Sequence, residues 1–315
     1  MKIVIFAANG YIGNVLVDYF LHKKQEVVAI TRRPSTFPPG VENLLWDGRT
    51  LQKSWTQGLE NADLVINLAG KSVNCRYNAA NKREIFDSRT YATEAIAKAI
   101  QQCQYPPKLW VNAASATIYR HAEDRPMDEI GGELGTGFSV EVCKKWEKTF
   151  FDSPTPHTRK IALRMAIVLG SSDGVFLRLQ NLVRYGLGGK QGNGRQMFSW
   201  IHDQDLCRVF DFLLANEQLS GIFNVASPHP ISNAHLMKTI RQAMKVSFGF
   251  PASSWLLKIG AVLIGTETEL ILKSRWVVPT RLVNAGFVFE CGELESAIAC
   301  IIETQKVQVK RESHD

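Results

Sequence analysis

Short β-branched runs at residues 3–6, 26–31, 64–68, 109–113 and 160–163 alternate with helical patterns at 12–21, 82–101 and 138–151. No other feature constrains the fold as much. Parallel neighbours in a sheet need a long crossover, usually a helix, so the alternation predicts βαβ units and a parallel sheet with helices on both faces. The fold expected is α/β: a doubly wound parallel sheet with a smaller, partly C-terminal lobe. Residues 1–170 make the sheet domain, and 196–228 return to it through a strand at 222–226. Residues 171–195 and 229–303 make the lobe, with helices at 233–244 and 294–302, and 304–315 read as a polar, frayed tail.

Composition narrows the class further. The 315 residues are 45% apolar and 21% charged, an ordinary globular mixture. The net charge of +7 comes from basic residues spread along the chain without runs, which argues against a nucleic-acid partner. Six scattered cysteines form no CxxC pair and no zinc spacing, which suits a reduced, cytoplasmic chain without metal. The N-terminus enters a strand directly, with no signal-peptide pattern. The apolar stretch at 255–264 is broken by Lys258 and too short to span a bilayer. It reads as a lobe helix, with a membrane-surface or partner-facing helix as the alternative.

The first strand ends in Ala7-Ala8-Asn9-Gly10-Tyr11-Ile12-Gly13, and a helix opens there. Such a turn brings backbone N–H groups and a helix N-terminus to one point, which is how a Rossmann sheet holds a pyrophosphate. Gly10 stands where backbone must approach phosphate closely, and Gly13 where helix and strand pack. Ala7 replaces the first glycine of the usual pattern. The second strand ends Thr31-Arg32-Arg33, with no Asp or Glu for the ribose hydroxyls. Two guanidiniums suit a 2′-phosphate, so NADP(H) is preferred over NAD(H); the alternative is a pair of solvated surface arginines. Asp47 either approaches the adenine or closes a turn.

Asn67-Leu-Ala-Gly70, Ser88-Arg89 with Thr93, and Ser115-Ala-Thr-Ile-Tyr119 resemble the extended short-chain dehydrogenases/reductases. Cys143-Lys-Lys-Trp146-Glu147, Leu163-Arg-Met-Ala-Ile-Val-Leu-Gly170, Gly188-Gly189, Gly194-Arg-Gln196, Ser199-Trp-Ile-His202 and Asp205 resemble its atypical branch, labelled NAD-dependent epimerase or cell-division-inhibitor-like. The end segment, Arg275-Trp-Val-Val-Pro279 to Gly286-Phe287, is similar to that branch's C-terminal domain of unknown function. The resemblance implies a cofactor wall that adds Leu68, Ala69, Gly70, Ser88, Ala113 and Ala114 to the residues above. It also implies a homodimer through the helices at 82–101 and 138–151.

In that superfamily a Tyr, made acidic by a Lys four residues on, transfers the proton, and a Ser holds the substrate oxygen. Ser115 matches the serine. Counting back from Glu147 puts Ser139 at the tyrosine position and Cys143 at the lysine position, so both working groups are missing. A phenol ionises near pH ~10 and can be tuned towards neutrality, whereas a serine hydroxyl is far less acidic. Substitutes are Tyr119, which alternatively packs under the next loop; Cys143, ionised if Lys144 or Lys145 is near and alternatively an inert buried helix residue; and His202, which alternatively caps a helix.

On the substrate side, the glycine-rich loop at 186–196 either binds an anion through its amides and Arg195 or is shaped only for packing. Gln196 and Trp200 are further candidates, and Trp146, Phe198, Trp200 and Trp276 either suggest an apolar or aromatic ligand or belong to the lobe core. Two functions follow. One is an NADP(H)-dependent oxidoreductase, or nucleoside-diphosphate-sugar-epimerase-like protein, acting on an unidentified small carbonyl or alcohol. The other is a non-catalytic NADP(H)-binding sensor or scaffold.

Overall fold

The structure, a computed structural model, describes residues 1–253, 255, 257 and 269–312, without the side chains of 270, 271 and 308–312. The apolar stretch at 255–264 therefore lies outside the described residues except at Trp255 and Leu257. In chain order the elements are β1 (Lys2–Phe6), α1 (Tyr11–His22), β2 (Glu26–Thr31), β3 (Val41–Leu45), α2 (Lys53–Thr56), β4 (Leu64–Asn67), α3 (Ala79–Gln102), β5 (Leu109–Ser115), α4 (Phe138–Asp152) and β6 (Arg159–Met165). Then follow β7 (Ile167–Leu169), α5 (Val175–Arg184), β8 (Met197–Phe198), β9 (Trp200–His202), α6 (Asp203–Ala215), β10 (Gly221–Val225), β11 (Ile231–Ser232) and α7 (Asn233–Ala243). The last three are α8 (Glu269–Leu272), α9 (Thr280–Asn284) and α10 (Leu294–Glu312).

Among the described residues, seven strands form one parallel sheet in the order β10-β6-β5-β4-β1-β2-β3. Successive side chains of a strand point to opposite faces, and both faces of the central strands are covered, so β1, β2 and β4 are mainly apolar, whereas the edge strand β3 carries Glu42 and Asn43 and is half exposed. In β1, Ile3 and Ile5 enter the core beneath α1 and α6 with Phe20, Phe210 and Leu213. Val4 and Phe6 enter the opposite core beneath α3 and α4, with Trp55, Ile96, Trp110 and Phe150. Strand order reverses between β1 and β4, so the loops after these strands diverge and leave a crevice at their carboxyl ends.

A third core joins α5, α7 and α10 through Phe176, Val183, Trp200, Leu236, Ile240, Leu294 and Ile298. The last helix runs on to Glu312, where the polar composition predicts fraying from 304. Gln305 anchors it, donating to the Ser171 carbonyl at 2.9 Å and pairing with the Gln180 side chain. No helix among the described residues is long and apolar enough to cross a membrane.

Candidate functional site

Helix α1, like α4 and α5, begins at a glycine with no side-chain cap, and of the three only α1 opens onto the crevice. Asn78, His202 and Ser232 cap α3, α6 and α7 with side-chain acceptors, whereas α1 begins at Gly10, which has none to offer. Its first-turn amides therefore face the crevice unsatisfied by a cap, as an anion site requires. A Cβ on Gly13 would stand 2.4 Å from the Ala8 carbonyl oxygen, so only glycine lets α1 close onto the turn. A Cβ on Gly10 meets protein only at 3.5 Å, so any steric demand there comes from the crevice side. Ala7, where the family has glycine, adopts φ +57°, a left-handed conformation that costs an L-residue about 1 kcal/mol.

The crevice measures about 800 Å³. Asn9, Gly10, Tyr11, Ile12 and Gly13 form its floor; Thr31, Arg32 and Asp47 one end; Leu68, Ala69, Gly70 and Ser88 a wall; and Ala113, Ala114 and Ser115 the other end. The wall is pinned from below. Asn67 donates to Asn112 at 2.7 Å and accepts from the Ala69 amide at 3.0 Å, and Ser88 Oγ accepts from the Lys71 amide at 2.9 Å. Tyr11 donates to Asp203 at 3.1 Å, which ties the floor to α6, and burial raises its phenol pKa far above the ordinary value.

Two of the cofactor residues expected from sequence lie elsewhere. Ala8 is buried beneath the Gly13 contact, and Arg33 is exposed outside the crevice, its carbonyl accepting from Thr31 at 2.7 Å. Besides Arg32 the lining takes Arg49, which stacks 5.0 Å from the Tyr91 ring, and Arg89. Asp47 fulfils both of its readings: it lines the crevice and also closes a turn, accepting from the Arg49 amide, the Thr50 amide and the Thr50 hydroxyl at 2.8 Å each. Burial pushes its carboxyl up, but these hydrogen bonds outweigh burial and hold it below the usual range. Lys71 and Glu84, an ion pair on the rim, also escaped the sequence reading, because nothing in their spacing brings the β4–α3 loop over β2.

The catalytic candidates separate. Ser115 lines the crevice, and its Oγ accepts from the Thr117 amide at 3.2 Å. Tyr119 does not line it; the phenol is 1% exposed, donates to Asn224 at 2.9 Å and accepts from Arg164 at 2.9 Å. Arg164 in turn grips Glu147 through two bonds of 2.8 and 2.7 Å. Tyr119 is thus a member of a buried network, with its pKa raised by burial, and not a donor to the crevice. Ser139 and Cys143 lie on the buried face of α4 and also outside the lining. Burial pushes the Cys143 thiol up to about 11, and Lys144 pairs with Glu141 at 2.9 Å, which matches the reading of Cys143 as an inert buried helix residue. His202 caps α6, accepting from the Gln204 amide at 3.1 Å, and burial lowers its pKa.

None of Arg195, Gln196 and Trp200 borders the crevice. Gln196 is buried and donates to the Gln191 carbonyl, Trp200 is fully buried in the lobe core, and Arg195 is exposed on the lobe surface. The glycine-rich loop packs: Gly189 donates to the Phe250 carbonyl at 3.1 Å and Gly192 to the Ala252 carbonyl at 2.8 Å. A Cβ on Gly189 would stand 2.5 Å from the Phe250 backbone. Among the described residues no cluster of His, Cys, Asp and Glu is placed to hold a metal ion.

Comparison with known proteins agrees with the fold. The NAD dependent epimerase/dehydratase family model matches residues 3–135, and the model of a domain of unknown function, DUF1731, matches residues 252–301. The bovine (Bos taurus) epimerase family protein SDR39U1 is 29% identical, covering 96% of this chain and 100% of its own. The Mycobacterium leprae epimerase family protein ML0860 is 29% identical over 94% of each chain. The crystal structure of human epimerase family protein SDR39U1 (isoform 2) with NADPH superposes with a TM-score of 0.85 at 27% identity, covering 96% of this chain and 99% of that one. The chain has the extended short-chain dehydrogenase/reductase fold and is similar over nearly its whole length to epimerase family proteins, with an NAD dependent epimerase/dehydratase match in its N-terminal part and a DUF1731 match near its C-terminal end.

Proposed function

We propose that the protein is an NADP(H)-dependent oxidoreductase acting on a small carbonyl or the matching alcohol. One observation carries this reading: a single crevice joins the uncapped amides of α1 and the guanidiniums of Arg32 and Arg49 to Ser115. The amides of Tyr11, Ile12 and Gly13 would hold the pyrophosphate, and Arg32 and Arg49 the 2′-phosphate, which a planar fork of donors fits in bidentate fashion. No carboxylate stands at the end of β2 to prefer two free ribose hydroxyls. The human relative solved with NADPH supports the same choice. When bound, the nicotinamide supplies or accepts a hydride; Ser115 orients the reacting oxygen, and Trp146 and Met165 shield that end from water.

The test is fluorescence titration with NADPH and NADH. Replacing Arg32 and Arg49 together by Ala should weaken NADPH binding on the order of 10- to 100-fold and NADH binding by no more than ~3-fold. An equal loss for both would refute the preference, and no uptake of either nucleotide by the unmodified chain would refute the function. A second reading, a nucleotide-holding sensor or scaffold, is favoured by Ser139 and Cys143, which bring neither phenol nor ammonium on α4 itself. Tight NADPH binding with no turnover across a carbonyl panel, unchanged by Ser115→Ala, would select it.

A further inference from the structure

Both positions of the absent Tyr/Lys pair are met in space by the missing type of group, delivered from elsewhere in the chain. At Ser139, the tyrosine position, Tyr77 Oη lies 3.3 Å from Ser139 Oγ. Tyr77 belongs to the loop between β4 and α3, and its ring packs edge-on against Phe138 at 5.0 Å. At Cys143, the lysine position, Lys273 stands close enough for its charge to act on the thiol. Its side chain is 9% exposed, and its Nζ donates to the Thr117 carbonyl at 2.8 Å, two residues beyond Ser115. Arg275 donates to the hydroxyl of the same Thr117 at 3.3 Å. Tyr77 and Lys273, like Ser139 and Cys143, do not line the crevice as it stands; Arg89, which does, interacts electrostatically with both Tyr77 and Cys143, so the cluster lies behind the lining at Arg89 and Tyr77 meets a substrate only when that side chain moves aside.

We propose that Tyr77 is the proton donor of the reaction, in place of the tyrosine absent at Ser139, and that Lys273 is its positioning cation, in place of the lysine absent at Cys143. The inference rests on the oxidoreductase reading above. As the carbonyl carbon of the substrate gains hydride from the reduced nucleotide, the C=O electron pair moves onto oxygen, which takes the proton of Tyr77. The products are an alcohol, the oxidised nucleotide and a phenolate at Tyr77. The phenolate is reprotonated through Ser139. Ser139 Oγ donates to Glu269 Oε2 at 3.3 Å, and Glu269 is 41% exposed. A proton taken up by Glu269 from water passes to Ser139 as Ser139 hands its own to Tyr77. A hydroxyl accepts and donates at once, so a residue useless as an acid serves well as a relay.

The charge around Tyr77 fits this task. Arg89 of α3 and Arg275 of the C-terminal segment both act on its phenol. Lys82 sits 5.3 Å over the Phe138 ring that Tyr77 packs against, and Glu269, Cys143 and Lys273 are further titratable groups of the cluster among the described residues. Two guanidiniums stabilise a phenolate, the change a family lysine otherwise provides. Burial, and then Arg275, push the Lys273 ammonium below its ordinary value.

The test is an ultraviolet phenolate titration of the full chain. The difference between the unmodified protein and Tyr77→Phe should reveal one phenol ionising at least one pH unit below the ordinary value of about 10. In Lys273→Met that step should move upward. With 9,10-phenanthrenequinone as carbonyl probe, Tyr77→Phe should lower kcat on the order of 100-fold with KM little changed, and Ser139→Ala should lower it less. A Tyr77 step at or above the ordinary value overturns the inference, and a step unmoved by Lys273→Met removes the lysine from it. NADPH uptake by the unmodified chain is read separately by fluorescence: uptake with an ordinary Tyr77 leaves the proposed function standing and removes only this donor.

Discussion

Two segments of this chain are dense in small residues beside a lobe or a sheet, and they do opposite things. The turn from Ala7 to Gly13 uses Gly13 to bring α1 against the Ala8 backbone, and leaves the first amides of the helix open to a crevice. The loop at 186–194 uses Gly189 to admit the Phe250 backbone, and its Gly189 and Gly192 amides are taken by the carbonyls of Phe250 and Ala252. Glycine allows close approach in both; what differs is what approaches. In the first the partner includes empty crevice, in the second only protein. Glycine density alone therefore does not mark a ligand site, and the direction of the freed N–H groups does.

The comparison can be broken by substitution. Gly13→Ala should have the largest effect, because its Cβ would meet immobile backbone at 2.4 Å. We expect a loss of about 3 kcal/mol in denaturant-measured stability together with at least ~10-fold weaker NADPH binding. Gly189→Ala meets backbone at 2.5 Å on a surface-proximal loop and should cost about 1–2 kcal/mol. Its NADPH affinity, measured on the folded variant, should stay within ~2-fold; a larger loss would make the lobe loop part of the nucleotide site after all. Ala7→Gly should do least. Relief of the left-handed strain at φ +57° exceeds the added chain entropy, giving a gain of about 0.5 kcal/mol. A destabilised Ala7→Gly would mean that the methyl group packs usefully where the family dispenses with it.

The strands were legible because burial on both faces demands apolar runs, and their alternation with amphipathic helices left few topologies. Gly10, Gly13, Thr31 and Arg32 were legible for a related reason: the turn and the strand that carry them are local, and sheet topology alone carries the ends of β1 and β2 to one crevice. Arg33 illustrates the limit. Adjacent residues beyond a strand end point apart, and the lining takes Arg32 while another of its guanidiniums, Arg49, comes from beyond β3. Tyr119 shows another limit, since a phenol four residues from Ser115 lies close in sequence yet turns into a network with Arg164 and Asn224.

What the sequence by itself determined is the doubly wound sheet, the uncapped opening of α1 and the presence of Ser139 and Cys143 four residues apart on α4. Each depends on periodicity or on residue type at a fixed offset, and both are properties of a short stretch. Tertiary structure alone decided that Arg49 faces the crevice, that the glycine loop is filled by protein, and that Tyr77 and Lys273 meet Ser139 and Cys143. These groups come from separate crossovers and from the C-terminal domain, so their meeting is set by how the helices and lobe pack on the sheet, which no local pattern encodes.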